Sequence, residues 1–343
     1  MSPLLSDLNE TASKKNIPLE TYWELTYRCN LACEHCYVAN ESKEEARELS
    51  LEEITRTLDG LAAAGGLFVT FTGGEPMLRR DLFDIIAAAR ERSFAVSMFS
   101  NGTLIGADAA RELHRLGVSE TGISIYGATA AVHDSIMRVP GVFDRAIAGI
   151  EALKAAGVRV AMKSVILRQN FADFEGILAL AEKLGVRSVA DPVVTPRNDG
   201  AADTLEFHLA PEQLAEVYGH PYFSERAWQG PWERGPSPVC DAGRNSVAIT
   251  PYGDVLPCLQ FIVSMGNLRE KAFAEIWADK GKYLDYMDIK EDELGECAKC
   301  GLRNFCGRCP GLALLERNSA TAPCRSACLS AEARKILYEK RRG

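Results

Sequence analysis

The run TYWELTYRCNLACEHCY, Thr21 to Tyr37, joins a short aromatic, β-prone segment to three cysteines, Cys29, Cys33 and Cys36. Thr21 to Thr26 has the composition of a strand, and a polar, Pro-containing stretch bounds it upstream. The cysteines therefore fall in the loop that leaves this strand. Three thiolates leave one iron of a four-iron cubane without a protein ligand. An open metal position marks a reactive site rather than a structural one, as the open fourth ligand does in catalytic zinc. A zinc site, or three unrelated buried cysteines, is the plainer alternative on these residues alone.

Downstream, the same strand-to-helix step recurs. Ser50 stands as cap to LEEITRTLDGLAAAGG, where Leu51, Ile54, Leu58 and Leu61 keep helical spacing and Gly65–Gly66 close the run. LFVTF (Leu67 to Phe71) precedes the helical DLFDIIAAARERS, and FAVSMF (Phe94 to Phe99) precedes ADAARELHRLG. TGISIY (Thr121 to Tyr126) leads to FDRAIAGIEALKAAG, and VRVAMKSVIL (Val158 to Leu167) to FEGILALAEKLG. A sixth strand spans Arg187 to Val194. Six strands alternating with helices predict an α/β fold, a partial (β/α)6 TIM-like barrel, with its chemistry at the strand C-termini.

Short motifs occupy those C-termini. Gly73-Gly74-Glu75-Pro76 follows the second strand, Ser100-Asn101-Gly102 the third, and Ser124 ends the fourth in ISIYG. His133-Asp134 is followed by Arg138, and His35 precedes Cys36. Glycines there let backbone approach a ligand, and Glu75 offers an acceptor for an ammonium group. Singly, the GG turn reads as ordinary loop chemistry, Arg138 as a solvated charge, and His35 as uninformative. Together with Cys29-x3-Cys33-x2-Cys36, they resemble the radical S-adenosylmethionine (SAM) superfamily. The resemblance implies that SAM chelates the fourth iron of a [4Fe-4S] cluster held by Cys29, Cys33 and Cys36. The reduced cluster would split SAM to a 5′-deoxyadenosyl radical that abstracts hydrogen from a substrate. It also assigns SAM contacts to His35, Gly73, Gly74, Glu75, Pro76, Ser100, Asn101, Ser124 and Arg138. Here Tyr126 stands where relatives of this type carry an acid, and Arg138 falls one residue later than usual.

The other eight cysteines lie in the C-terminal third: Cys240, Cys258, Cys297, Cys300, Cys306, Cys309, Cys324 and Cys328. Alone, the paired CxxC spacing of Cys297 to Cys309 reads as a zinc ribbon. The longer pattern resembles the SPASM domain, which carries auxiliary iron–sulfur clusters. Carried over, the resemblance gives Cys240, Cys258 and Cys309 to one cluster and Cys297, Cys300, Cys306 and Cys328 to a second. Cys324 completes the first or replaces Cys328, with Asp241 or a substrate as a further candidate ligand for the first. The spacing between the fifth and sixth cysteines is one residue shorter than in most relatives. The expected organisation is an N-terminal extension (1–20), a barrel (21–205), a connector (206–238) and the cysteine-rich domain (239–343).

The chain has 343 residues, eleven cysteines and a net charge of −8. Its length suits a barrel plus one smaller domain. Free thiols without a signal peptide predict a reducing, cytoplasmic setting, the charge gives no nucleic-acid footprint, and no apolar run is long enough for a bilayer. In the connector, Tyr222, Phe223, Trp228 and Trp232 read as a lid or, preferably, as packing over the clusters. Lys163 and Asp191 lie on strands where they reach the barrel mouth or form a paired structural charge. The family resemblance implies modification of a peptide or protein, fed by a reductant such as flavodoxin or ferredoxin. Only Met1 to Glu20 precede the first strand, so peptide recognition is expected to need a separate protein or the barrel itself. Leu259 occupies the position of the aspartate base in sulfatase-maturing relatives. Two alternatives stand: radical modification of a tetrapyrrole (a haem precursor) or other small metabolite, and a non-catalytic iron–sulfur or zinc protein.

Overall fold

The computed structural model describes residues 3–39, 44–224, 230–232 and 239–342. Helix α1 (Pro3–Lys15) precedes β1 (Glu20–Thr26), α2 (Leu51–Ala63), β2 (Phe68–Gly73), α3 (Leu82–Glu91) and β3 (Ala95–Ser100). Then come α4 (Ala107–Arg115), β4 (Glu120–Ser124), α5 (Ala130–Met137), α6 (Val142–Ala156), β5 (Val160–Val165), α7 (Phe174–Leu184) and β6 (Arg187–Asp191). Strands β1 to β6 are all parallel and lie side by side in chain order. This is the predicted partial barrel, each strand returning through a helix.

Strand alternation divides the two faces. Trp23, Leu25, Val69, Phe71, Val96, Met98, Ile123 and Met162 are buried in one core with the helical Ile54, Leu58, Ile85 and Ile150. The intervening residues face the lumen, and they are polar or half-exposed: Thr70, Ser97, Phe99, Ser124 and Lys163 among them. Ser50 and Glu53 form a reciprocal capping box at the start of α2, as the sequence indicated.

Beyond the barrel lie α8 (Pro211–Gly219), α9 (Pro221–Ser224), β7 (Ser246–Ile249), β8 (Asp254–Leu256) and β9 (Gly266–Asn267). They are followed by α10 (Phe273–Asp279), α11 (Leu284–Met287), α12 (Pro310–Arg317) and α13 (Arg325–Arg342). The cysteine-rich part shares the sheet of the barrel. Strand β7 pairs in parallel with β1, Glu20 opposite Ser246 and Trp23 opposite Ile249. The sheet therefore runs through nine strands, with β8 and β9 adding antiparallel pairs.

The connector's aromatics pack. Tyr222 donates to the Ser188 carbonyl at 2.9 Å and accepts from the Ala190 N–H at 2.9 Å. Phe223 is buried, Trp232 lies beneath the Arg334 guanidinium at 5.0 Å, and Trp228 lies outside the described residues. Among the described residues, no helix is long and apolar enough to cross a membrane.

Candidate functional site

The three-cysteine loop leaves β1 and is held from three sides. From α5, the Ile136 carbonyl accepts the Glu34 N–H at 3.2 Å, and Met137 Sδ lies 3.3 Å from Cys33 Sγ. From beyond β6, Arg197 donates to the Cys36 carbonyl at 2.9 Å, and the Asn198 N–H to the Tyr37 carbonyl at 2.8 Å. From β3, the Asn101 amide donates to Asn30 Oδ1 at 2.9 Å and lies 3.9 Å from Cys29 Sγ. Leu31 seats the loop in an apolar pocket with Met137 and Val142, against which Cys29, Cys33 and Tyr126 pack.

Gly73 and Gly74 serve close backbone approach. A Cβ on Gly73 would fall 2.2 Å from the Thr26 carbonyl oxygen, and one on Gly74 would fall 2.2 Å from that of Arg28. Gly73 also has φ +123°, which disfavours any side chain. This closeness lets the Gly74 N–H reach the Thr26 carbonyl at 2.7 Å and the Glu75 N–H reach that of Arg28 at 2.8 Å. The GG turn is thereby stitched to the start of the cysteine loop.

Glu75 is fully buried and knits the next turn in. Its carboxylate accepts the Ser100 hydroxyl at 2.9 Å, the Asn101 N–H at 2.8 Å and the Met77 N–H at 3.1 Å. Burial raises its pKa, and these three hydrogen bonds oppose the rise. An ionised carboxylate has about four acceptor positions, so a further donor can still be taken.

His35, Tyr126 and His133 form an aromatic wall. The His35 and Tyr126 rings meet edge-on at 4.4 Å, and Tyr126 and His133 stack at 6.2 Å. Burial first, then the charges of Cys33, Cys36 and Cys29, raises the Tyr126 pKa. Burial lowers His35 and His133 to about 4. His133 Nδ1 accepts the Tyr126 N–H at 3.0 Å. Arg138 caps α5 in the left-handed region and pairs with Glu34, Nε to Oε1, at 2.7 Å, over the cysteine loop.

Sequence reasoning missed the supports beneath. Glu24 is a buried lumen carboxylate that accepts the Tyr27 hydroxyl at 3.0 Å and the Tyr37 hydroxyl at 2.5 Å. Burial raises it to about 7. Buried Arg79 donates to the Leu25 carbonyl at 3.1 Å, the Leu49 carbonyl at 3.0 Å and Asp81 at 2.7 Å, locking the base of the site. No spacing announces either residue, because the partners that give each its role, Tyr37 for Glu24 and the Leu25 and Leu49 carbonyls for Arg79, are not fixed by local sequence.

The C-terminal thiols are buried to different degrees and feel one another's charges. Burial first, then the charges of Cys258, Cys240 and Cys324, pushes Cys309 up to about 12. Cys328 is raised to about 11 by burial and by Cys324, Cys297 and Cys300. Cys306 lies with Cys309 and Cys324 in a small apolar cluster. The Asp241 carboxylate accepts from Ser13 at 3.2 Å. None of the eleven cysteines is joined in a disulfide. Among the described residues no three metal-ligating groups converge for a single ion; a cubane takes one thiolate at each iron corner, so its ligands need not share one point. Soft donors and apolar surroundings suit iron–sulfur clusters.

A parallel barrel with three cysteines at the mouth, backed by a thiol-rich extension, defines a class of iron–sulfur enzyme. The Radical SAM superfamily model matches residues 23–181, and the SPASM iron-sulfur cluster-binding domain model matches 240–301. An AdoMet-dependent heme synthase of Oleidesulfovibrio alaskensis is 31% identical over 319 residues, covering 84% of this chain and 81% of that protein. The mycofactocin maturase MftC of Mycolicibacterium smegmatis is 30% identical over 306 residues, covering 84% and 77%. Streptococcus suis SuiB bound to the precursor peptide SuiA shares the fold, with TM-score 0.72, 20% identity, and coverage of 95% of this chain and 80% of that one. The chain belongs to the radical SAM superfamily and carries a SPASM domain. It is an enzyme whose cofactors are SAM and iron–sulfur clusters. Cys306, Cys309, Cys324 and Cys328 lie beyond the SPASM match.

Proposed function

We propose that this enzyme abstracts hydrogen from an unactivated carbon of a peptide or protein and so modifies it. The observation that carries the reading is the single hydrogen-bonded unit of cysteine loop, GG turn and SNG turn at the mouth of one polar lumen. With cluster and SAM bound, the site supplies a 5′-deoxyadenosyl radical, the reagent for a C–H bond that offers no acid–base handle. Cys29, Cys33 and Cys36 hold that cluster, and Gly73, Gly74, Glu75, Pro76, Ser100, Asn101 and Ser124 line the SAM position. Glu75 retains acceptor capacity for an ammonium group. His35, neutral at physiological pH because its pKa lies at about 4, offers an aromatic edge without adding charge. Arg138 reaches a SAM carboxylate only by sharing or leaving Glu34. Cys240, Cys258, Cys309 and Cys324 are assigned to one auxiliary cluster and Cys297, Cys300, Cys306 and Cys328 to the other, where burial and hydrogen bonding set their potentials. A maturase among the relatives supports a peptide substrate.

A second reading, a tetrapyrrole substrate, draws on the similarity to the Oleidesulfovibrio heme synthase. The two separate on 5′-deoxyadenosine release by reduced, anaerobically reconstituted protein given SAM and size-fractionated host lysate. Stimulation by the peptide fraction supports the first, and stimulation by the small-molecule fraction alone supports the second.

A further inference from the structure

Lys163 occupies the lumen face of β5, opposite Ser124 in the register with β4. Its ammonium lies 3.3 Å from the centroid of the Phe99 ring on β3, and its Cδ would meet a Cβ on Gly122 at 2.8 Å. The side chain thus lies across β4 to reach β3, in space that the missing Gly122 side chain leaves open. Among the described residues it makes no ion pair and donates no hydrogen bond, yet it retains partial exposure.

Other lumen charges are already satisfied. Arg187 pairs with Glu120 at 2.6 Å at the floor, and Glu24 is held by Tyr27 and Tyr37. Asp191, on the neighbouring β6, is held by the Val193 N–H at 2.9 Å and remains solvent-accessible. A ring face alone gives a cation about 0.5–2 kcal/mol, less than an ammonium loses on desolvation. Accordingly, burial lowers the Lys163 pKa to about 8 despite the charge of Asp191. Such a group gains most from a ligand anion. Tyr126, which packs with Cys29 and Cys33 against one apolar pocket, is two residues beyond Ser124 and hence about 7 Å further along the strand direction.

We infer that Lys163 is the substrate anchor of this barrel: its ammonium binds a carboxylate of the substrate. This rests on the proposed function only in taking the anchored molecule to be the one from which hydrogen is abstracted. A peptide C-terminus and a tetrapyrrole propionate both present a carboxylate, so the shared chemistry is the carboxylate itself.

The test is competitive trace acetylation of reconstituted, anaerobic wild-type enzyme, read by mass spectrometry at Lys163, with surface Lys335 as internal standard. Propionate is expected to slow Lys163 acetylation about tenfold relative to Lys335, and propionamide is expected to leave it unchanged. A short peptide and its C-terminal amide form one further pair, and a tetracarboxylate porphyrin and its methyl ester the other. The acid that protects at the lower concentration identifies the source. Protection by acid and neutral partner alike, or by none of the acids, overturns the inference. In turnover, Lys163→Gln is expected to raise KM at least tenfold while substrate-free SAM cleavage persists, with Lys163→Arg restoring part of the loss. Deoxyadenosine formation with an unprotected Lys163 removes the anchor and leaves the radical reading. Protection without deoxyadenosine from any fraction does the reverse.

Discussion

Glu75 accepts the backbone N–H of Asn101 at 2.8 Å, so the turn after β2 and the turn after β3 move as one body. Asn101 in turn donates to Asn30, beside Cys29. A carboxylate on one strand end thereby fixes the position of the cysteine loop on another. Glu75→Gln keeps the shape but exchanges one acceptor oxygen for a donor. A buried N–H left unpaired costs about 1–3 kcal/mol. Urea unfolding is expected to show a lower midpoint with unchanged slope, and SAM binding by equilibrium dialysis is expected to weaken.

Gly74→Ala places a methyl 2.2 Å from the Arg28 carbonyl oxygen, where neither backbone has room to give. Overpacking of this kind costs about 1–3 kcal/mol. The damage falls on the cysteine loop, so iron bound there is expected to be lost on reconstitution. Iron held by the C-terminal cysteines is expected to stay, as total iron and Mössbauer spectra would show.

The proposed division of the C-terminal cysteines predicts separable clusters. Cys258→Ala is expected to remove the iron of one auxiliary cluster, and Cys300→Ala that of the other. Equal loss of all iron in both variants would contradict this division. Cys324, whose charge reaches both Cys309 and Cys328, is the position where the division is least clean.

His133 is fully buried, and burial lowers its pKa from 6.5 to about 4. A depressed histidine stabilises the fold fully above pH 6.5, where both states are neutral. That contribution disappears as pH falls through about 4, because the unfolded chain takes up the proton first. The shift corresponds to at most about 3 kcal/mol. In denaturant titrations of the apoprotein between pH 7 and 4, His133→Gln is expected to flatten the acid-side decline.

Much of the barrel was legible because its signals are local. The strand TYWELT, the Ser50 cap and the apolar spacing of Ile54, Leu58 and Leu61 each depend on near neighbours in the chain. The turns at Gly73 and Ser100 were legible as motifs, but their mutual dependence was not. Glu75 reads as a ligand group, yet three of its acceptor positions are filled by the protein. Pairing of β7 with β1 joins Ser246 to Glu20 across most of the chain, a contact no local pattern encodes. Helix α1 was missed because its sequence, PLLSDLNETASKK, is largely polar; buried Ala12 and the Asn16 carbonyl, which accepts Trp277 Nε1–H at 2.7 Å, anchor this end of the chain through tertiary contacts.

The most direct measurement is 5′-deoxyadenosine released from SAM by reduced, reconstituted protein, compared with the Cys29→Ala, Cys33→Ala, Cys36→Ala triple variant. Wild type is expected to release it, and the triple variant to release none while keeping its auxiliary iron. Equal release by both proteins, or zinc in place of iron in an active wild type, would contradict assignment of the radical site to these three cysteines.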